Sequence, residues 1–365
     1  MSPKKKFNRH TVLHEIRRHG PVGRLQVSRQ LHISKSRVCE IVQELLDEKL
    51  ILEDLNRSER RGRLPIPLRV NPEHGQFLGF DFEAKRMRLV IVDFAGNVIW
   101  RHQVKLKPFK SRQPFVNHLL SFIEEGLKRI HSQSVTPLGI GLAAPGVIDR
   151  RRGTLLHYDL IEVAQNIPLR DLVANRTNLP CLIDNNIRAY ALEEWMSGAA
   201  QHLSNFICLA VRSGVGAAIM QNGRLSGGSH GFSGEAGYFP IPAGGAASQW
   251  RTFQETVSEQ ALGIDVEAKN SHLPEARAKR AGELVGAQIA ALVSLLDPEA
   301  VVLAGGLIQP NGSLWSSLER TYRRFVLPDI AERVQLLPSR VGPFAAAIGA
   351  THQCFRMLYA TEQEV

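Results

Sequence analysis

Two short basic segments near the N-terminus carry residue types that bind nucleic acid. One is Lys35-Ser36-Arg37, directly after Ser34, and the other is Arg61-Gly62-Arg63. Lysine and arginine pair with phosphate oxygens, and both also read the edges of bases in the major groove. A glycine flanked by guanidinium groups suits the narrow minor groove, where negative potential is concentrated. The residue types therefore predict two contacts with double-stranded DNA.

The elements that must position these segments follow the order of a winged helix-turn-helix. Apolar spacing predicts helices over 11–19 and 24–31, and a third helix that begins after the N-cap Ser34 and runs to about Lys49. In this arrangement the first turn of the third helix enters the major groove. Strand-like runs at 50–53 and 65–70 predict a hairpin, or wing, with a cationic tip. The alternative is a protein-docking module with a solvated basic loop.

Charge is unevenly distributed along the 365 residues, whose formal net charge is +10. Residues 1–76 hold 16 Lys and Arg against 9 Asp and Glu, whereas the remaining 289 residues hold 29 against 26. A basic module on a nearly neutral body indicates a polyanionic partner. Charge alone allows a solvated basic face equally well, so the order of the helices decides in favour of DNA.

Composition excludes several classes of protein. The sequence contains no run of about 18 apolar residues, and no apolar segment follows the basic N-terminus, so we expect neither a membrane span nor a secretory signal. Cysteines occur singly, at Cys39, Cys181, Cys208 and Cys354. This spacing favours a cytoplasmic protein and argues against a disulfide scaffold or a cysteine-bound metal.

Strands and helices alternate after residue 76, which predicts an α/β body. Buried strand patterns cover 77–82, 87–93, 138–142 and 206–211, and glycine-rich turns follow several strands, where such folds bind ligands. We expect four segments: a winged helix-turn-helix over 1–70, a linker over 71–76, and two lobes over 77–180 and 181–365. The second lobe is predicted to open with the strand Cys181-Leu182-Ile183.

A series of short motifs in this body resembles the ROK family, which comprises sugar kinases, open reading frames and sugar-responsive repressors. The motifs are, in order, the turn after Asp81, Pro145-Gly146-Val147-Ile148-Asp149, Ile183-Asp184-Asn185-Asn186, Ser213-Gly214-Val215-Gly216, Gly234-Glu235-Ala236-Gly237-Tyr238 and Ala304-Gly305-Gly306. The resemblance implies a two-lobed, actin/hexokinase-like (ribonuclease H-like) body. Residues 61–65 and 68–72 are similar to the repressor branch, in which a winged helix precedes that body.

The sequence departs from this family at the residues that a kinase needs. The first phosphate loop is normally Asp-x-Gly-Gly-Thr-Lys, but here it reads Asp81-Phe82-Glu83-Ala84-Lys85, with a negative charge where phosphate would lie. The family's catalytic Asp is replaced by Asn186, and an amide cannot accept a proton from a hydroxyl. Asp184 could substitute in principle, but alternation along the strand predicts that it points to the opposite face. We therefore expect no kinase activity and no cofactor.

Two further positions bear on phosphate and metal. The loop 213–216 resembles a second phosphate loop, although a tight turn between strands explains it equally well. The family's zinc site uses a His where this chain has Tyr238, together with a cysteine run where residues 243–253 contain neither Cys nor His. A tetrahedral zinc site needs about four such ligands, so we expect no metal. Packing by Trp250 and Phe253 is our prediction for what holds this segment.

The sugar-binding positions of the family are better preserved. Glu235 and Glu255 match the family's glutamates, and carboxylates suit polyols because each can accept hydrogen bonds from two hydroxyls. With Asn185 and Asn186 they would form a polar cluster, with Tyr238 at its edge. A structural role for the two glutamates is the alternative. The loop 152–166 matches the family too poorly for its residues to be assigned.

Together these features predict a sequence-specific DNA-binding transcriptional regulator that acts as a repressor. Its degenerate kinase body is expected to sense a sugar or sugar derivative. The resemblance implies a homodimer or a higher homo-oligomer. Two alternatives stay open at this point: an active sugar kinase that also binds DNA, and a DNA-binding protein whose body only mediates dimerisation.

Overall fold

The computed structural model describes residues 3–54, 66–242, 249–264 and 273–359. In the first of these ranges and the start of the second lie helices α1 (Pro3–His19), α2 (Arg24–Gln30) and α3 (Lys35–Asp47) and strands β1 (Ile51–Glu53) and β2 (Leu68–Val70). Strands β1 and β2 pair in antiparallel fashion, with Ile51 opposite Val70. The predicted winged helix-turn-helix order is confirmed, although α1 begins eight residues earlier than the predicted Thr11.

The first three helices pack through the apolar residues that the periodicity indicated. Val12 and Ile16 of α1 meet Val38, Ile41 and Leu45 of α3 in one buried cluster. That cluster continues into the body, where it includes aromatic residues of the sheet and of the C-terminal helix. The N-terminal domain is therefore docked on the body rather than tethered to it.

The predicted linker 71–76 is a structured connection. Asn71 accepts a hydrogen bond from the backbone of Glu73 and so caps a 3-10 helix over Pro72–His74. The backbone nitrogen of Phe94 donates to the carbonyl of Pro72, and Gln76 already belongs to the first strand of the body. The connection is therefore fixed at both ends.

The next elements are β3 (Gln76–Glu83), β4 (Arg86–Asp93), β5 (Val98–Lys105), α4 (Arg112–His131), β6 (Pro137–Ala144), β7 (Val147–Asp149), β8 (Thr154–His157), β9 (Gln165–Ile167), α5 (Leu169–Thr177) and β10 (Cys181–Asn185). Five of these strands form one sheet in the order β10-β6-β3-β4-β5. Strand β10 pairs in parallel with β6, with Cys181 opposite Ile140. The prediction that Cys181-Leu182-Ile183 opens the second lobe is therefore wrong, because this strand hydrogen-bonds within the first sheet.

The second lobe contains α6 (Asn186–Ser197), β11 (Phe206–Val211), β12 (Val215–Gln221), β13 (Arg224–Leu225), β14 (Pro240–Pro242), β15 (Trp250–Thr252), α7 (Gln254–Val257), α8 (Glu275–Leu296), β16 (Ala300–Ala304), α9 (Ser313–Phe325), α10 (Pro328–Arg333) and β17 (Gln335–Pro338), followed by α11 (Ala345–Tyr359). A 3-10 helix covers Ala236–Tyr238. Its main sheet has the order β13-β12-β11-β16-β17. Two sheets flanked by helices confirm the α/β, actin/hexokinase-like architecture.

The C-terminal helix α11 returns to the first lobe. It packs on β3 and β6 at two glycines, where a Cβ on Gly79 would lie 2.1 Å from the carbonyl oxygen of Ala347, and one on Gly141 would lie 2.1 Å from that of Ala350. No side chain fits at such an approach, so these glycines let the helix lie against the sheet. The predicted division into lobes at residue 180 is therefore also wrong for the C-terminal helix, because residues 345–359 pack on the sheet of the first lobe.

Within the ranges given above, none of the helices combines the length and the apolar character that crossing a bilayer requires.

Candidate functional site

A cavity of about 500 Å³ lies between the two lobes, next to the ends of β6 and β10 and the start of α6. Its walls include residues of the first lobe, such as Gly146 and Asp159, and of the second, such as Gly214 and Glu235. Cavities of this size hold small molecules, and a monosaccharide is well within the range. The glycine turns that the sequence singled out therefore converge on one ligand-sized space.

Asn185 and Asn186 both line this cavity, but they play different parts. The Asn185 side chain caps α6: its oxygen accepts from the backbone of Ile187 at 2.8 Å, and its nitrogen donates to the carbonyl of Gly146 at 2.9 Å. Asn186 is buried in the first turn of the helix. Asn185 thus shapes the cavity, and Asn186, which the resemblance places at the position of the family's base, lies beside it.

Asp184 is committed to a buried network. Arg188 donates from Nε to both carboxylate oxygens, at 2.9 and 3.0 Å, and Gln353 of α11 donates to Oδ2 at 2.8 Å. The Arg150 guanidinium lies 3.5 Å from Oδ1. Both carboxylate oxygens of Asp184 are therefore engaged by buried donors.

Glu235 is the carboxylate best placed for a ligand. Burial, together with the negative charge of Asp159, raises the pKa of Glu235 to about 7. Tyr238, half-exposed at the cavity edge as expected, donates from its hydroxyl to Asp159 at 3.0 Å, and Gln254 lies 3.5 Å from the same oxygen. Asp159 therefore connects a first-lobe loop to the second lobe across the cavity mouth, a role that no motif indicated.

Glu255 lines the cavity, but one of its carboxylate oxygens is already hydrogen-bonded to Thr252 at the end of β15. Its Oε2 accepts from the backbone nitrogen of Thr252 at 2.7 Å and from the Thr252 hydroxyl at 2.8 Å. These bonds lower the pKa of Glu255, which is exposed. Only the other oxygen remains for a hydroxyl, so Glu255 is a weaker sugar-binding candidate than Glu235.

The segment that the resemblance aligns with the first phosphate loop is a two-residue turn between β3 and β4, with Glu83 opposite Arg86. Arg88 lies 3.0 Å from Asp81 and 3.3 Å from Glu83, and Arg212 of the second lobe also pairs with Glu83. Burial and the nearby Glu83 raise the pKa of Asp81, whereas for Glu83 the two arginines outweigh burial and lower its pKa. The predicted negative charge is present and is held by both lobes.

A second cleft of about 910 Å³ adjoins this network and includes Glu83, Arg212, Gly305 and Gly306 in its lining. The loop after Arg212 is a hairpin turn, in which the backbone nitrogen of Arg212 donates to the carbonyl of Gly214 at 2.8 Å. Tight-turn geometry therefore accounts for the second glycine loop, while the space that a nucleotide would need is bordered by a fixed carboxylate.

Helix α3, the predicted recognition helix, begins at Lys35 with Ser34 as its N-cap. The Ser34 hydroxyl accepts from the backbone nitrogen of Arg37 at 3.4 Å, and Lys35 and Ser36 are exposed. Arg37 is largely covered, because its guanidinium pairs with Glu40 at 2.7 Å. The wing residues Arg61, Gly62 and Arg63 lie outside the described residues, so their contact with DNA stays a prediction.

Two arginines of α1 join the N-terminal domain to the body. Arg17 donates to the carbonyl of Phe94 at 3.1 Å and lies 4.1 Å from the centre of the Phe355 ring. Arg18 stacks 3.5 Å from the centre of the Trp195 ring and donates to the carbonyl of Gln201 at 2.8 Å. Neither arginine was singled out from the sequence, because their partners are distant in the chain.

Comparison with known protein families decides the identity of the body, since residues 77–354 match the model of the ROK family. The chain belongs to the ROK family. Among curated relatives, a xylose repressor of Bacillus spizizenii is 26% identical over 94% of each chain. The regulator NagC of Escherichia coli K12, described as a DNA-binding transcriptional dual regulator, is 23% identical over 95% of this chain and 91% of its own.

A xylose repressor of Caldicellulosiruptor bescii is 31% identical, but the match spans 65% of this chain and 59% of that relative's length. Among solved ROK structures, a transcriptional regulator homologous to the E. coli MLC protein superposes with a TM-score of 0.81 at 24% identity, covering 98% of this chain and 97% of that one. A ROK glucokinase of Streptomyces griseus, in complex with glucose and AMPPNP, gives 0.65 at 22% identity, with coverage of 76% and 99%. The match to the transcriptional regulator therefore covers the N-terminal helices as well as the body, whereas the match to the glucokinase covers a smaller part of the chain.

The ROK zinc motif has no visible counterpart. Residues 243–248 lie outside the described residues, and the part of the chain that is described holds no group of three or more potential His, Cys, Asp or Glu ligands. Of the two residues predicted to hold this segment, Phe253 is fully buried in the second-lobe core, whereas Trp250 is 65% exposed. The packing prediction is therefore correct for Phe253 and wrong for Trp250.

Proposed function

We propose that this ROK protein is a DNA-binding transcriptional repressor whose interlobe cavity binds a sugar and does not phosphorylate it. The observation that carries the proposal is the docking of helices α1–α3 and the strand pair β1–β2 onto the body through Arg17 and Arg18. Relatives named xylose repressor and N-acetylglucosamine repressor align over more than 90% of the chain. Their names make D-xylose and N-acetylglucosamine the first sugars to test.

The loss of kinase activity rests on two features of the site. Asn186 stands where a kinase of this family has its base, and the neighbouring Asp184 is bound by Arg188, Arg150 and Gln353. Glu83 also borders the second cleft, held there by arginines of both lobes. A fixed carboxylate repels the phosphates of a nucleotide, and loss of a general base alone costs about 10²–10⁴ in rate.

We infer that the sugar acts by favouring one arrangement of the lobes. A ligand shifts an equilibrium only by its differential affinity for the two states. Asp159, Tyr238 and Gln254 meet across the cavity mouth, so closure on a sugar would alter the contacts of both lobes. We also propose that the chain binds as a homodimer to two half-sites about one helical turn apart, so that lobe movement changes the spacing of the recognition helices.

Selection from a pool of random duplexes tests this function. We expect an enriched duplex with two-fold symmetry, and we expect one of the two sugars to weaken binding to it. Lys35→Ala and Arg37→Ala should weaken the selected duplex more than random DNA, whereas Arg63→Ala should act mainly on AT-rich flanks. Sugar-dependent turnover of ATP-Mg, or the absence of any enriched duplex, would contradict the proposal.

Sugar affinity should depend on pH through Glu235. With a pKa of about 7, this side chain is mostly protonated at pH 6 and mostly ionised at pH 8. Only the ionised form accepts hydrogen bonds from two hydroxyls, so apparent affinity should rise about tenfold over that interval. Calorimetry at pH 6 and pH 8 measures the apparent affinity for the sugar. The variant Glu235→Gln should bind the sugar weakly and with the same affinity at both pH values. If sugar affinity rises with pH as much in this variant as in the unaltered protein, Glu235 is not the source of the pH dependence.

A further inference from the structure

The exposed side of helix α3 carries an acidic residue in its second turn. The buried side of the helix is one apolar stripe, formed by Val38, Ile41, Val42 and Leu45. With about 3.6 residues per turn, the opposite side, here called the outer face, is centred on four exposed residues: Ser36, Glu40, Gln43 and Asp47. Arg17 and Arg18 of α1 contact the body, and the outer face of α3 stays exposed in the complete chain.

Glu40 differs from the other members of the outer face in having a carboxylate oxygen to offer. Its Oε2 accepts from Nη1 of Arg37 at 2.7 Å, and its Oε1 has no such bond within the described part of the chain. Gln43, by contrast, donates to Asp47 at 2.8 Å. The Glu40 side chain is 63% exposed, so a partner from outside the chain can reach Oε1.

A carboxylate in the major groove discriminates between bases because it only accepts hydrogen bonds. Guanine presents two acceptors there, and thymine presents an acceptor and a methyl group. Adenine presents a donor beside the N7 acceptor, which repels a carboxylate. Cytosine presents its N4 amino donor without an acceptor on the same base. A fixed carboxylate on the outer face therefore fits cytosine best.

Arg37 allows such a carboxylate to approach the duplex. Its guanidinium pairs with Glu40 three residues further along the helix, and its side chain is only 18% exposed. The positive charge offsets the repulsion between Glu40 and the backbone phosphates, and the bond to Oε2 determines which oxygen faces outward. The alternative is a solvated ion pair without contact to DNA, and it predicts no base preference that depends on Glu40.

We propose that Glu40 is a specificity-determining residue of α3 that accepts a hydrogen bond from N4 of one cytosine, with Arg37 as its positioning residue. The inference rests on the proposed DNA-binding function and adds a base-reading acceptor to the cationic first turn. The N-terminal residues of a recognition helix contact base edges. Glu40 lies one turn beyond Ser36, about 6 Å further along the helix axis.

Selection from random duplexes, repeated with three variants, tests the assignment. The unaltered protein should enrich cytosine at the position that Glu40 reads. Glu40→Gln should prefer adenine there, because an amide offers adenine both a donor and an acceptor, and Glu40→Ala should accept any base. Asp47→Ala is the charge-matched control. It removes one negative charge from the last turn of the same helix and should retain the preference for cytosine.

A modified base locates the contact on the amino group. N4-methylcytosine keeps its pairing with guanine, but its methyl group replaces the hydrogen that faces the major groove. In the selected duplex it should weaken binding by the unaltered protein about tenfold, and binding by Glu40→Ala less than about twofold. Arg37→Ala should also lose the discrimination between the two cytosines, a result that a merely structural role of Arg37 does not predict. Fluorescence anisotropy measures each affinity.

Unchanged base preferences in Glu40→Ala would overturn the inference and leave the DNA-binding function in place. Equal relaxation in Asp47→Ala, or a base other than cytosine at the position that Glu40→Ala relaxes, would overturn it too. If the unaltered protein enriches no duplex, the proposed function fails and the inference fails with it. Circular dichroism checks that the variants fold. Equal affinity of the unaltered protein for cytosine and N4-methylcytosine overturns the inference without any variant.

Discussion

Replacing Arg88 by methionine should lower the free energy of unfolding by about 3–5 kcal/mol. Arg88 is 2% exposed and lies against the buried carboxylates of Asp81 and Glu83. It also donates to Gln103 at 2.9 Å. Removing it leaves Asp81 in a dry site, where one carboxylate oxygen already has no hydrogen-bond partner among the described residues. Urea unfolding followed by circular dichroism measures the loss.

The control for this substitution is Arg101→Met on the exposed side of β5, which should change stability by about 0.5 kcal/mol or less. The double variant Asp81→Asn with Arg88→Met should recover part of the loss, because neutralising both partners removes the uncompensated charge. If Arg88→Met unfolds like Arg101→Met, the pairing with Asp81 is not what stabilises this corner. If the double variant is no more stable than Arg88→Met, the cost lies in packing rather than charge.

This network holds the carboxylate of Glu83 beside the second cleft. Glu83 belongs to the first lobe and Arg212 to the second, so the ion pair also joins the lobes beneath the cleft. Arg212 lies 5.8 Å from the ring of Tyr190 on α6, which extends the contact into the helix that borders the interlobe cavity. A phosphate at this position would have to displace Glu83 from both arginines.

Local patterns in the sequence predicted local structure well. The Ser34 cap, the apolar stripe of α3 and the strands at 87–93 and 206–211 follow from side-chain periodicity and capping, which depend on neighbours in the chain. The placement of β10 and α11 was missed because it depends on pairing between distant segments. Strand β10 carries the same pattern whichever sheet it joins, and only its bonds to β6 show that it completes the first lobe.

The site residues divide in the same way: those within a local motif were predicted, and those that depend on contacts between distant segments were missed. Glu235 and Tyr238 were found because a short motif contains them, and the structure brings both to the cavity. Asp159 and Gln254 carry no local signal, since their importance arises from a meeting between loops about 80 to 95 residues apart. Glu255 was expected as a sugar contact, but its bonds to Thr252, the last residue of β15, were not visible in the motif. Arg212 was not singled out either, because its partner Glu83 is also distant in the chain.

Helix α6 links the two functional ends of the molecule. Its first residue, Asn186, lines the interlobe cavity, and Trp195 near its end stacks on Arg18 of α1. Twelve residues of helix span about 18 Å. Glu193 of the same helix pairs with His352 of α11 at 2.9 Å, which ties the end of α6 to the surface on which α1 rests. A shift of α6 on sugar binding would therefore reach the DNA-binding domain directly.

We expect Arg18→Ala to uncouple sugar from DNA. In the unaltered protein, the sugar should change affinity for the selected duplex by a factor typical of coupled sites, about 5–150-fold. In Arg18→Ala that factor should approach one, because the stacking on Trp195 and the bond to Gln201 are lost. Fluorescence anisotropy with and without saturating sugar gives the factor, and calorimetry checks that the variant still binds the sugar.

The matched control is Arg29→Ala, an exposed arginine on α2 of the same domain. It removes the same charge, so it can weaken DNA binding, but the ratio of affinities with and without sugar should stay as in the unaltered protein. Arg18→Lys should retain only part of the coupling, because an ammonium group does not stack on indole as a planar guanidinium does. A full sugar response in Arg18→Ala would show that the signal leaves the body by another contact, with Arg17 on Phe355 the next to test.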